Sequence, residues 1–364
     1  MIRFLALTPG EDAQEVDAAI RRVVQRGWFI LGPELEAFER EFAEATSAAH
    51  AVGVGNGTDA LSLALRALDI GPGAEVITSP LSATYTALAI LAAGARPVFA
   101  DIDASRLTLD PQAVAAAVTR RTAAIMPVHL YGQSADMPAI MRIAERHGLA
   151  VIEDCCQAHL ATCERRPVGS FGSAAAYSFY PTKNLGALGD GGAITTSDAQ
   201  LSARVKRLRN GGQTDRYRHD EYGVNSRLDE MQAAILRARL PFLAHWTERR
   251  RALAREYRMA LVDVAAVTVP REHDSGHVYH LFPVLSRQRD AIRQQLETAG
   301  IETLIHYPIP IPKQRALASA DACPIAERIC SEVFSLPLYP TLDPTAIARV
   351  SSALRACAVT APDR

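Results

Sequence analysis

The chain has 364 residues, 39 lysines and arginines against 40 aspartates and glutamates, a net charge of -1 and 48% hydrophobic residues. That balance supplies no basic field for nucleic acid, and the length exceeds what one hydrophobic core usually serves, so a large and a smaller domain are expected. Six cysteines without a paired C-x-x-C spacing do not easily close a thiolate metal cage, and a reduced protein is the simpler reading.

The amino terminus, from Met1 to Asp12, carries too short an apolar run for a signal peptide and turns acidic at once. The most apolar later stretch, 87–95, is too short to cross a bilayer. A soluble, cytoplasmic protein is expected. After Gly32-Pro33, the residues Leu35, Phe38, Phe42 and Ala45 fall at helical spacing. From about residue 50, strand-like runs at 51–54, 75–78, 97–100, 123–128 and 149–153 alternate with alanine-rich helical stretches. Such alternation predicts an α/β fold with a mostly parallel sheet covered on both faces. The stretch 227–256 reads as one long charged helix with a bend or boundary at Pro241. Beyond it, 277–285 reads as a strand, 289–299 as a helix ended by Gly300, and 345–356 as a final helix. The domains expected are a large one at 1–240 and a smaller α+β one at 241–364.

Only three lysines occur among the 39 basic side chains, Lys183, Lys206 and Lys313. Lys206 sits in a basic helical stretch and Lys313 follows a proline-rich loop, so both read as solvated. Lys183 lies between the apolar run 174–180 and the glycines Gly186, Gly189, Gly191 and Gly192. A partly desolvated lysine there has the character of a Schiff-base amine, nucleophilic near neutral pH. About thirty residues upstream, Val151-Ile152-Glu153-Asp154 reads as a buried parallel strand that places Asp154 at its carboxyl end, where ligands bind in open α/β sheets. A carboxylate there keeps the pyridine nitrogen of pyridoxal phosphate protonated; a helix cap or a metal ligand is the alternative. The run Val52-Gly53-Val54-Gly55-Asn56-Gly57-Thr58-Asp59 reads as strand, glycine turn and a helix starting near Thr58, whose amides can face an anion. Alone, such a turn would also suit a dinucleotide fold, although G-x-G-x-x-G is missing. Ser178 offers a hydroxyl five residues before Lys183.

These segments occur in one order with Pro127-Val128-His129-Leu130-Tyr131-Gly132-Gln133, Gln157-Ala158, Asn225-Ser226-Arg227-Leu228-Asp229-Glu230 and His306-Tyr307-Pro308. From about Gly27 to Pro340 the chain resembles the DegT/DnrJ-type sugar aminotransferases, fold type I pyridoxal 5'-phosphate enzymes of nucleotide-sugar biosynthesis. The resemblance implies Lys183 as covalent anchor and proton shuttle, Asp154 as pyridinium partner and Gln157 as a contact to the ring oxygen. It further implies Gly57, Thr58, Asp59 and Ser178 at the phosphate, with Thr58 and Asp59 acting partly through backbone groups. Tyr85 matches the aromatic that stacks on the ring, an ordinary core tyrosine being the alternative. Asn225 matches a residue that reaches the phosphate of a neighbouring subunit, making the active site a property of a homodimer.

Tyr180, Arg218, His306 and Tyr307 match positions lining the sugar pocket of members that act on carbon 3 of a dTDP-linked keto sugar. For His306 the alternative is a strand-end histidine with a satisfied ring, and for the arginine a solvated loop. The implied reaction moves an amino group from glutamate to a nucleotide-linked keto sugar, with pyridoxamine phosphate between the half-reactions. Other readings are a 4-keto-sugar or aminocyclitol aminotransferase and a non-catalytic pyridoxal phosphate-binding regulator; a sugar 3-dehydratase usually replaces the lysine with histidine. The chain departs from the family pattern at Leu160, where glycine is common, at Pro312, where many members have histidine, and at Arg315, where proline is usual.

Overall fold

A computed structural model describes residues 1–357. Its central sheet is built from β1 (His50–Val54), β2 (Glu75–Thr78), β3 (Arg96–Phe99), β4 (Thr122–Met126), β5 (Ala150–Asp154), β6 (Ala174–Ser178) and β7 (Gly192–Thr196). The spatial order is β1-β7-β6-β5-β4-β2-β3. Only β7 opposes the common direction, pairing antiparallel with both β1 and β6. The expected α/β class and mostly parallel sheet are therefore present, with small shifts at strand ends. β7 has no clear sequence signature, because Gly192, Thr195 and Thr196 leave it little of the apolar character of a buried strand.

Both faces of the sheet are covered, as the two-residue alternation along a strand requires. Ala175 and Tyr177 of β6 enter one core with Phe38, Phe42 and Phe179, while Ala174 and Ala176 enter the other with Val52, Val54 and Ile194. In the first core the Phe42 ring meets Tyr177 and Phe179 edge-on, each with centroids 5.1 Å apart. Edge-to-face aromatic pairs add about 1 kcal/mol each beyond burial, which fixes the strand leading to Lys183.

The helices before the bend are α1 (Ala13–Arg26), α2 (Pro33–Ala45), α3 (Gly57–Ala67), α4 (Tyr85–Ala92), α5 (Pro111–Ala117), α6 (Met137–His147), α7 (Ala199–Leu208) and α8 (Glu230–Arg239). Ala45 does not join the buried stripe of α2; Leu35, Phe38 and Phe42 do, with Ala43 beside them. The long charged helix breaks at a 3-10 turn, Leu240–Phe242, and continues as α9 (Leu243–Ala260). Pro241 has no amide to donate, which accounts for the change of helix type there.

Beyond α9 come β8 (Phe282–Leu285), α10 (Arg289–Thr298), α11 (Pro324–Glu332), β9 (Val333–Leu336) and α12 (Thr345–Ala356), with β8 and β9 paired antiparallel. The expected strand at 277–285 is thus only four residues long. The segment before it, 277–281, is spent on other contacts: the Val278 amide donates to Gly132 O and the Leu281 amide to Tyr131 O. Gly300, with φ +75°, ends α10 as expected. A carboxyl-terminal core joins Tyr257, Phe282, Val284, Phe334 and Leu354 and also takes Ile2 from the amino terminus, which bridges to Ile301. Residues 358–364, the end of the expected small domain, lie outside the described residues.

Glu34 sits at the start of α2 with its side chain 3% exposed, holding Arg22 at 2.8 Å, Arg26 at 3.2 Å and Arg237 at 2.6 Å. The hydrogen bond from Arg22 is the largest cause of a carboxyl pKa lowered to about 2 from an ordinary 4.5; burial acts the other way. Because the folded value lies below the unfolded one, the stabilisation is complete above about pH 4.5 and is lost as pH falls through about 2. Its ceiling is about 3 kcal/mol, reduced by the solvent exposure of Arg22 and Arg26. The urea midpoint of Glu34→Gln should therefore be lower than that of the parent at neutral pH, and the two should converge on acidification. Parallel curves would show that Glu34 does not titrate in this window.

Candidate functional site

The site forms where β5 and β6 end and α3 and α4 begin. Asp154 is the last residue of β5, with its backbone held by a bond from its own amide to Pro127 O at 2.9 Å and one from the His129 amide to its carbonyl at 3.1 Å. Its carboxylate is 5% exposed at the residue level and accepts from the Cys156 amide on Oδ1 at 3.1 Å and from the Thr86 hydroxyl on Oδ2 at 2.8 Å. Each oxygen keeps a further lone pair.

Lys183 follows β6 on a loop pinned by its own amide to Tyr180 O at 2.8 Å. Burial holds its ammonium below the ordinary lysine value, opposed by the acidic neighbours Cys156 and Asp154. A lowered pKa raises the fraction of free amine at neutral pH, the form that attacks a carbonyl. His159, His280 and His306 all feel this charge. Burial is the main reason each stays neutral, with the lysine charge adding to it; His159 falls to about 3 and His306 to about 4. They offer hydrogen bonds without adding positive charge.

α3 starts one residue earlier than expected, at Gly57, because Asn56 caps it by accepting from the Asp59 amide at 2.9 Å. The Asp59 amide is therefore spent on the cap. Its carboxylate accepts on Oδ2 alone, from the Ser226 hydroxyl at 2.5 Å and the Asn56 amide group at 3.1 Å. The amides of Gly57 and Thr58, at the first two helical positions, have no acceptor within the helix. A Cβ on Gly57 would stand 2.8 Å from Ser178 Cβ and 2.9 Å from Cys156 Sγ. Glycine is what lets the helix start close on Ser178, whose hydroxyl oxygen accepts the Tyr180 amide at 3.3 Å and keeps its proton free.

Gln157 uses Oε1 to accept the Tyr131 amide at 2.7 Å and Nε2 to donate to the Tyr307 hydroxyl at 3.1 Å, leaving one N–H. Burial pushes the Tyr307 hydroxyl above the ordinary tyrosine value, so it remains protonated. The Tyr131 hydroxyl donates to His306 O, and His306 Nδ1 meets the Ser335 hydroxyl at 3.1 Å. The satisfied-ring alternative for His306 thus describes one of its nitrogens. Tyr85 is 63% exposed, which rules out the core alternative, and Tyr180 is 52% exposed. Arg218 stands apart from the cluster, on a hairpin of Gln213–Asp215 and Arg218–His219, with its guanidinium 3.0 Å from Asp220. Asn225 is exposed where it bridges Asn210.

The profile of the DegT/DnrJ/EryC1/StrS aminotransferase family matches residues 11–355. The chain belongs to this family. It is 49% identical over 348 residues to a dTDP-3-amino-3,4,6-trideoxy-alpha-D-glucose transaminase of Streptomyces venezuelae, covering 94% of this chain and 91% of the relative. It is 46% identical over 343 residues to a UDP-N-acetyl-3-dehydro-alpha-D-glucosamine 3-aminotransferase of Acidithiobacillus ferrooxidans, covering 94% and 93%. The crystal structure of DesV from S. venezuelae in complex with a ketimine intermediate superposes with a TM-score of 0.95 at 47% identity over 97% of each chain.

DegT-family aminotransferases depend on pyridoxal 5'-phosphate, and the side chains of this member fit that molecule. Two free helix amides, a serine hydroxyl and a glycine that clears space suit a phosphate. A buried carboxylate with spare lone pairs suits a protonated ring nitrogen, and the last N–H of Gln157 suits a ring oxygen. Leu160, where the family often has glycine, has φ +62°, a conformation that glycine adopts without strain. The DegT-family member also has a buried group that resembles a metal site, His129, Glu153 and Cys155, with ligand atoms within 4.8 Å of one another. The histidine and glutamate of that group are committed to each other and to backbone amides. His129 Nδ1 accepts the Ala135 amide at 3.1 Å, and Glu153 accepts from Nε2 of His129 and from the amides of Gly169, Phe171 and Gly172.

Several contributors escape a reading of this DegT-family sequence. Asn56 could have been found as a polar residue ahead of a helix. Ser226 adjoins a recognised residue, but its contact with Asp59 spans 167 positions. Thr86, 68 positions from Asp154, carries no signal at all.

Proposed function

We propose that this pyridoxal phosphate-dependent aminotransferase moves the amino group of glutamate to carbon 3 of a dTDP-linked 3-keto-6-deoxyhexose in the cytoplasm. The observation that carries the reading is Asp154 at the end of β5 and Lys183 on the loop that follows the neighbouring β6, within a family of sugar aminotransferases. When bound, the cofactor supplies an aldehyde that takes up the amino group and a ring that withdraws electrons from the carbon being deprotonated. Lys183 Nζ would hold it covalently and, once displaced as free amine, would move the proton from the α-carbon of the donor to the aldehyde carbon of the cofactor and, with the keto sugar, from that carbon to carbon 3 of the sugar. Asp154 holds the proton on the ring nitrogen. Gly57, Thr58 and Ser178 fix the phosphate, Asp59 supports them by holding Ser226, Gln157 meets the ring oxygen and Tyr85 covers one ring face.

Asn225, exposed in the single chain, would complete the phosphate site of a second copy, making the enzyme a homodimer. The large domain, 1–240, would carry the cofactor, and the smaller one, 241–364, would bring His306 and Tyr307 to the sugar together with Tyr180. Glutamate with a panel of 3-keto and 4-keto sugars carrying dTDP or UDP, read by product mass and stereochemistry, tests the reading. Amination of the 4-keto compounds alone would refute it. If Arg218 holds the pyrophosphate of the substrate, Arg218→Ala should raise the KM for the nucleotide sugar about tenfold and change kcat less than about threefold. An unchanged KM would remove Arg218 from the substrate site.

A further inference from the structure

We propose that Thr86 is a positioning residue for the cofactor, acting through Asp154 by a directed chain of hydroxyls from Ser82 to Thr86 to the carboxylate. The inference rests on the reading above, in which Asp154 faces the ring nitrogen. An ionised carboxylate only accepts hydrogen bonds, so the Thr86 hydroxyl, 2.8 Å from Oδ2, must be the donor. Having spent its proton, that hydroxyl accepts from Ser82, 3.3 Å away. All three residues are buried, at 4% for Ser82, 2% for Thr86 and 5% for Asp154, so little water competes for these bonds.

With Oδ1 held by the Cys156 amide and Oδ2 by Thr86, the carboxylate has one orientation, and its remaining lone pairs have fixed directions. Thr86 is also the second residue of α4, directly after the exposed Tyr85. One helix start therefore sets both the aromatic over the ring and the anion at its nitrogen. A shift of α4 would disturb the two together.

The test is spectroscopic titration of cofactor-free protein with pyridoxal 5'-phosphate and with its 1-deaza analogue, in which carbon replaces the ring nitrogen. Thr86→Val keeps the shape and removes the donor. It should weaken pyridoxal phosphate about tenfold, as loss of a hydrogen bond to a charged group predicts, and leave the analogue within about twofold of the parent. Thr86→Ser should restore pyridoxal phosphate binding, and Ser82→Ala, which leaves both direct contacts of Asp154 in place, should show a smaller loss with the same selectivity. An equal loss for both ligands would mean that Thr86 is only a packing residue, and no loss for either would also overturn the proposal. If Thr86→Val does not fold, Ser82→Ala decides by the same comparison. Parent protein that takes up no pyridoxal phosphate would end the functional reading itself, whereas normal parent uptake with an unaffected variant ends only this inference.

Discussion

Lys183→Ala protein is expected to fold, to bind pyridoxal phosphate only non-covalently, and to lose at least about four orders of magnitude in turnover, the upper range for removal of one acid–base group. The same nitrogen is asked to do two things, hold the cofactor covalently and move a proton, so both are lost in one substitution. Among the described residues its side chain has no hydrogen-bond or ion-pair partner, and removing it should cost little stability. The lysine is also the largest charge acting on His159 and His306, and without it their pKa values should rise. Kinetics with glutamate and keto sugar, together with reduction by borohydride and mass analysis of the labelled peptide, provide the check. Turnover within tenfold of the parent, or cofactor still reduced onto the protein at the same peptide, would refute the assignment.

Asp154→Asn is the second large effect. The substitution keeps the size of the side chain while removing the charge, and its amide presents N–H where one of the donors, the Thr86 hydroxyl or the Cys156 amide, now points. A buried group that loses its charge partner costs about 3–5 kcal/mol, equivalent to a fall in turnover of about two to four orders of magnitude if the ring nitrogen must stay protonated. Thermal unfolding of the cofactor-free variant should differ from the parent by only a few degrees, since the backbone of Asp154 is held independently through Pro127 and His129. A variant with near-parent turnover would show that the ring nitrogen has another partner.

The chemistry around Lys183 was legible because it is local. A rare lysine between an apolar strand and glycines, a carboxylate closing a strand and a glycine turn before a helix each lie within about ten residues, and each is placed by the strand or helix that carries it. The helix start at Gly57 instead of Thr58 follows from one capping side chain, Asn56. The segment 277–281 looked like strand on composition, yet its amides go to Tyr131 and Gly132, a competition that local propensity does not register. Tyr85 shows the opposite case: an aromatic beside an apolar helix can also be read as core, and only the placement of α4 leaves it exposed.

Alternation of apolar strands with helices was enough to dictate the sheet and its class, since a strand covered on both faces has to be apolar throughout. Which groups remain available for a ligand was settled only in three dimensions. Glu230 of α8, fully buried, accepts the amides of Gly32, Glu34 and Leu35 at the start of α2 from 195 to 198 positions away. Ser226 likewise donates to Oδ2 of Asp59, and Thr86 to Oδ2 of Asp154. A hydrogen bond depends on distance and angle between atoms, and for residues so far apart in sequence those are fixed by the packing of whole elements, not by the residues that flank each partner.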